Sequence, residues 1–176
     1  MNKIYVSSLA HTSLIHYLEA QGNQVIKIQP YNKVYPQIQT HADIYLCNLG
    51  DMVFHGDSDQ LSDRYPGDII YNGCSTGKYF IHNLCYTDPA LLEKVNKLHQ
   101  ILIHVRQGYT RCNCLPVDKN SVITSDEGIV KACQGKGVDV LHITPGHILL
   151  PGFDSVSYTH LDVYKRQIVL RLRQST

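Results

Sequence analysis

Gln107–His147 reads QGYTRCNCLPVDKNSVITSDEGIVKACQGKGVDVLHITPGH, and this stretch decides the fold class. A polar turn opens it, and Val122–Ile123 is a short β-rich strand. Asp126 or Ser125 can cap a helix carrying Ile129, Val130 and Cys133, because a short oxygen side chain satisfies the first free amides of a helix. Gly137 stops that helix, and Val138–Ile143 forms a second strand closed by Pro145. Strand, capped helix and strand within so few residues predict an α/β unit.

The unit occurs twice. Ile15–Gly22 leads into Val25, Ile28 and Pro30, as Val130–Gly137 leads into Val140, Ile143 and Pro145. Gly22 and Gly137, Val25 and Val140, Ile28 and Ile143, and Pro30 and Pro145 share one offset, 137 − 22 = 115. One such pair could arise from any two helix–glycine–strand units, but four at a single offset favour a repeat. Residues 12–30 and 127–145 are therefore expected to be equivalent.

Between the copies the pattern continues. Ile4–Ser7 alternates as a short strand, and Thr12 or Ser13 can cap the helix bearing Leu14, Ile15 and Leu18. Residues 38–47 read as a strand, with Ala42, Ile44 and Leu46 on one face and His41, Asp43 and Tyr45 on the other. His55–Pro66 is polar and reads as a surface loop. Asp68–Tyr71 and Tyr79–Leu84 read as strands around a turn at Asn72–Cys74. Asp88–Pro89 starts a helix with Leu91, Leu92, Val95 and Leu98 on its apolar stripe, and Ile101–Val105 is a buried strand.

Composition excludes some classes of function. Sixteen basic residues against fifteen acidic ones give no electrostatic footprint for nucleic acid or a membrane surface. No apolar run reaches the length of a membrane span, and MNKIYVSS lacks the apolar core of a signal peptide. A cytoplasmic location with reduced thiols is expected for the six cysteines. Cys47, Cys85 and Cys133 lie in apolar runs and read as small hydrophobes.

From Ser155 the chain reads SVSYTHLDVYKRQ, which resembles a translated sequencing-adapter string found at broken gene ends in assembled metagenomes. Residues 155–176 are therefore expected to be a non-native tail, with residues 3–154 forming a single domain truncated in mid-fold.

Few motifs carry chemistry on their own. Gly73–Lys78 has three residues between its glycines instead of four, Tyr79 where a hydroxyl should hold magnesium, and a strand after it, so it is no phosphate loop. Cys112–Asn113–Cys114 has neither the spacing nor the second pair of a zinc site, so no metal and no cofactor are expected, and the thiols read as reduced turn residues. His41 and Asp43, two apart on a strand, would point the same way and could together grip a cation or move a proton. Equally, they could be the solvent face of an edge strand. Gln107, Tyr109, Thr110, Asn113 and Asp126 flank buried strands, where most polar residues serve turns and caps.

QGYTRCNC, VITSDEGI, GVDVLHITPGHILLPGFD, His41–Ala42–Asp43 and FIHNLCYTDPALLEKV together resemble an uncharacterised bacterial family of the guanidino-group-modifying-enzyme, or pentein, fold. The likeness runs from Lys3 to Asp154. It implies an α/β propeller of ββαβ-type units about a pseudo-fivefold axis, present here as an incomplete array. Enzymes of that fold use a cysteine nucleophile from near the C-terminus, a histidine, and carboxylates that hold a guanidinium group. His41 and Asp43 match the family's own His–x–Asp motif and are not equated with those catalytic residues, and Cys112 lies mid-chain. The resemblance thus implies a parent protein that binds or modifies a guanidino or amidino small molecule. The rival expectation is a non-catalytic binding or scaffold protein of the same fold. His41, Asp43, Asn83, Gln107 and Asn113 are the expected ligand-binding residues. Substrate and oligomeric state are not fixed by the sequence.

Overall fold

The computed structural model describes residues 2–144. The expected tail and Pro145 of the second repeat copy lie outside the described residues.

The chain is mixed α/β, and among the described residues its strands form four small sheets of two or three strands. Strand β1 (Lys3–Ser7), helix α1 (Thr12–Ala20) and strand β2 (Gln24–Ile28) form a βαβ unit with parallel strands. After a loop come the one-turn helix α2 (Ala42–Tyr45) and the antiparallel pair β3 (Leu46–Asn48) and β4 (Val53–His55). A 3₁₀ turn at Ser58–Gln60 precedes β5 (Cys74–Ser75), which pairs antiparallel with β6 (Tyr79–His82). Helix α3 (Pro89–Lys97) then returns the chain to β7 (Ile101–His104), parallel to β6. Another one-turn helix, α4 (Thr110–Asn113), leads to β8 (Cys114–Pro116) antiparallel to β9 (Ser121–Thr124). Helix α5 (Glu127–Cys133) and β10 (Asp139–His142), parallel to β9, complete the described chain.

The two expected repeat copies are both helix, glycine and strand, and in each the strand pairs parallel with the one before the helix. Gly22 and Gly137 both adopt φ +76°, a left-handed conformation that costs glycine nothing, and β2 and β10 each begin two residues later. The segment β6–α3–β7 is a third parallel unit.

The three hairpins also correspond. Strand β5 lies between β3 and β8. The thiol of Cys47 in β3 donates to the carbonyl of Gly73, just before β5, at 3.3 Å, and that of Cys74 in β5 donates to Cys114 O in β8 at 3.5 Å. At the hairpin tips Gly50 (φ +101°) lies so close to Gly77 that a Cβ there would sit 3.1 Å from its Cα. Among the described residues the sheets do not close into a barrel or propeller.

Strand β6 is buried on both faces and divides the core. Phe80 joins Ile44, Cys47, Tyr71, Leu91 and Val95 on one side. Tyr79 and Ile81 join Ile103, Val122, Ile129 and Cys133 on the other. Alternate side chains of a strand leave opposite faces, so one short strand serves both clusters.

Several expectations need correction. Of the strand expected over 38–47 only Leu46 and Cys47 are strand, in β3; Ile44 N donates to His41 O and Leu46 N to Ala42 O, closing one helical turn over residues 42–45. Asp43, Ile44 and Tyr45 are consecutively buried, which no half-buried strand allows. Residues 68–71 form turns, with Ile69 N bonded to Pro66 O and Asn72 N to Ile69 O, so the hairpin lies further on at β5 and β6. Helix α1 is capped by His11, whose Nδ1 accepts from Ser13 N, in place of Thr12 or Ser13. Asp88 and Asp126 cap α3 and α5 as expected, accepting from Leu91 N and Ile129 N at 2.9 Å each. Cys85 is exposed despite its apolar neighbours, and β7 is only partly buried, since Ile101 is exposed.

Candidate functional site

The polar centre of the molecule lies where α2, the turns at 66–73 and α4 come together. Asp43, second residue of α2, is buried, and its Oδ2 accepts the thiol hydrogen of Cys112 at 3.0 Å. Asn72 is wholly buried and ties the three segments together. Its Nδ2 donates to Asp43 O at 3.1 Å and to Cys112 Sγ at 3.5 Å. Its Oδ1 accepts from Arg111 N at 2.9 Å and Cys112 N at 3.4 Å. Asn can do this because one side chain carries both donor and acceptor.

A second carboxylate lies nearby. Asp68 is 2% exposed, and its Oδ2 accepts from the hydroxyl of Tyr109, which in turn pairs with the hydroxyl of Tyr35 at 3.0 Å. Burial, followed by the bond to Asp68, raises the Tyr109 pKa far above the ordinary phenol value, and burial also raises that of Tyr35. Both phenols therefore keep their protons at any physiological pH. Asp68 Oδ1 is buried without a hydrogen-bond partner among the described residues. Asp68 and Cys112 both act electrostatically on Tyr35, so the two carboxylate clusters share one neighbourhood.

The loop entering α4 anchors the remaining expected residues. Gln107 is held at both ends, Nε2 donating to Asp126 Oδ2 at 3.0 Å and Oε1 accepting from Tyr109 N at 3.1 Å. Asn113 Nδ2 donates to Tyr109 O at 2.8 Å, and Asn83 Nδ2 to Arg106 O at 3.2 Å. Asn83 is buried, and its Oδ1 has no hydrogen-bond partner among the described residues. Asn83, Gln107 and Asn113 thus gather around residues 106–109, and Asp43 reaches the same region through Cys112. His41 stands half-buried at the N-cap of α2. Because 42–45 is a helical turn, the shared strand face expected of His41 and Asp43 does not exist.

Three of the six thiols are held in the protonated form. Burial pushes Cys47 up to about 12 and Cys133 up to about 11. The neighbouring Cys74, with burial, holds Cys114 well above its ordinary value. All six cysteines are free thiols.

A family described as a family of unknown function (DUF6873) matches residues 53–155, more than half of the 176 residues. The chain belongs to that family. No curated protein and no solved structure matches it. In this member of the family the match covers Asp68, Asn72, Tyr109 and Cys112 but begins after His41 and Asp43. No described helix is long and apolar enough to cross a membrane. Among the described residues no group of three or more His, Cys, Asp or Glu is placed to hold a metal ion.

Sequence reasoning missed Asp68 and Asn72 as members of this centre and gave Cys112 a different role. Asp68 and Asn72 bracket the apolar run Ile69–Ile70–Tyr71, and that bracketing was their available signal. Cys112 was expected to be a turn thiol, but it lies in α4 and is buried against a carboxylate.

Proposed function

We propose that the chain is part of a pentein-like array of ββαβ units and that the protein binds or modifies a cationic guanidino or amidino small molecule. The fold reading is supported by the three parallel βαβ units and by hairpins linked through thiol–carbonyl bonds. The observation that carries the function is the buried carboxylate of Asp68, with one oxygen held by Tyr109 and the other lacking a hydrogen-bond partner among the described residues. A planar cation with several N–H donors suits such an oxygen, and pairing offsets the cost of burying the charge. Asp43, His41, Asn83, Gln107 and Asn113 complete the proposed ligand-binding set.

The test is calorimetric titration of the chain with methylguanidine and with methylurea, its uncharged isostere. Ammonia or amine release is assayed in parallel. The reading expects methylguanidine to bind at least ten-fold more tightly, with the preference lost in Asp68→Asn and weakened in Asp43→Ala and His41→Ala. Equal affinity for the two probes in the native chain refutes it.

A non-catalytic binding or scaffold role is the second reading, in which buried thiols serve packing and not attack. The thiolate is the nucleophile in covalent catalysis. Cys47, Cys114 and Cys133 are held protonated well above neutral pH. Binding of methylguanidine without any turnover would select this reading.

A further inference from the structure

We infer that the protein carries a second site, a cleft bordering the proposed one at Gln107, that takes a small planar or aromatic carboxylate. The cleft has a volume of about 480 Å³ and runs between Tyr65, the C-terminal end of β7 through Gly108, and the length of α5 from its cap Asp126 to Ala132. It owes its shape to missing side chains, since Gly108, Gly128 and Ala132 line it. Gly108 is needed for the wall as well as the space. A Cβ there would lie 2.7 Å from Tyr65 Cε2 and 3.3 Å from Ile69 Cδ1. The Tyr65 ring therefore packs onto bare backbone, with Tyr86 edge-on to it at 5.8 Å and 81°. It remains 53% exposed and offers the cleft an aromatic surface.

The polar lining sorts into groups already satisfied and groups that are not. Asp126 spends Oδ1 on the cap of α5 and Oδ2 on Gln107, and Gln107 spends its own carbonyl oxygen on Tyr109 N. Each of these three side-chain oxygens is thus engaged in an internal bond. His104 Nδ1 accepts from Leu84 N at 3.2 Å, and a backbone amide can only donate. That nitrogen therefore bears the lone pair, and the neutral ring carries its proton on Nε2 as a donor. Arg106 lines the same cleft with an exposed side chain and no ion-pair or side-chain hydrogen-bond partner among the described residues. What remains for a ligand is a guanidinium fork and an imidazole N–H, both donors, beside an aromatic ring.

Donors without matching acceptors call for an anion, and the count of charges selects its type. The charges of Arg106 and Asp126 offset each other across the lining, so a monoanion meets less repulsion there than a dianionic phosphate would. The planar fork matches the two oxygens of a carboxylate, and a flat apolar body can lie against Tyr65. The charge demanded is opposite to that of the guanidino ligand proposed for the buried centre, so this inference goes beyond that reading and does not depend on it.

The experiment follows the backbone amide spectrum of the ¹⁵N-labelled full chain during titration with benzoate, and with benzamide as its uncharged isostere. The inference expects benzoate to shift Gly108, Gly128 and their neighbours and to bind at least ten-fold more tightly than benzamide. Arg106→Gln should lose most of that advantage, and Ala132→Phe should abolish binding by filling the cleft, both with an otherwise native spectrum. Should Ala132→Phe fail to fold, Ala132→Leu tests the same space. No benzoate shifts at 10-fold excess over the millimolar range, equal binding of the two probes, shifts confined to other residues, or full binding by Arg106→Gln would each overturn it.

Discussion

Cys112 donates its thiol hydrogen to the carboxylate of Asp43 across 69 positions of sequence, at 3.0 Å, and both side chains are buried. The bond fastens α4 to α2. Replacing Cys112 by Ala removes a donor from a buried carboxylate, which costs about 1–3 kcal/mol. Cys112→Ser keeps a donor and should lose less than Cys112→Ala. Urea denaturation of the two variants gives the order, and a Ser variant no more stable than Ala would show that the thiol acts only through its packing.

Asn72 serves more partners than any other side chain of this centre, on both α2 and α4. Asn72→Ala is expected to destabilise by roughly 2–4 kcal/mol, since several buried groups lose their partner together. Asn72→Asp should do no better, because a carboxylate cannot donate to Asp43 O and adds a buried charge. Midpoints of chemical denaturation measure both.

His82 has no exposed surface, and burial lowers its pKa from 6.5 to about 4. The unfolded chain accepts this proton near pH 6.5, whereas the folded chain resists it until about pH 4. The stability gained from keeping the ring neutral is thus complete above about 6.5 and is lost as the pH falls toward 4, by a few kcal/mol in all. In His82→Gln, which can still bond Thr87, the acid limb of stability against pH should be flatter. An unchanged limb would assign the acid sensitivity to other groups.

Gly73 leaves room for a ring: a Cβ there would fall 2.5 Å from Cε2 and Cζ of the buried Phe80. Gly73→Ala must therefore push Phe80 aside, at a cost of about 1–3 kcal/mol. Gly73→Ala combined with Phe80→Leu should recover part of this loss. Additive losses would mean that the clash is not with the ring.

Cys85 is the exposed thiol, while Cys47, Cys74, Cys112, Cys114 and Cys133 are buried. A thiol reagent under native conditions should modify Cys85 quickly and the other five only on unfolding. Mass spectrometry of the labelled peptides would show it. Fast labelling of Cys112 would mean that the buried centre opens readily.

Several elements were legible because their causes are local. Asp88 followed by Pro89, and Asp126 three residues before Ile129, announce their helices, since capping needs only neighbouring amides. The single offset relating Gly22 to Gly137 marked two equivalent units, because a helix that must end and turn into a strand needs a left-handed residue at that point. The membership of Asp43, Asp68 and Asn72 in one polar centre was not legible. Residues 42–45 and 68–72 are short, largely buried turns, so they carry neither the period of a strand nor that of a helix. Their apolar residues therefore read as strands. The partners that decide what Asp43 and Asp68 do are Cys112 and Tyr109, far along the chain on α4 and the loop before it. Local sequence sets where a chain turns and where a helix starts, but a buried carboxylate takes its partner from whatever segment packs against it, and only the tertiary structure decides which segment that is.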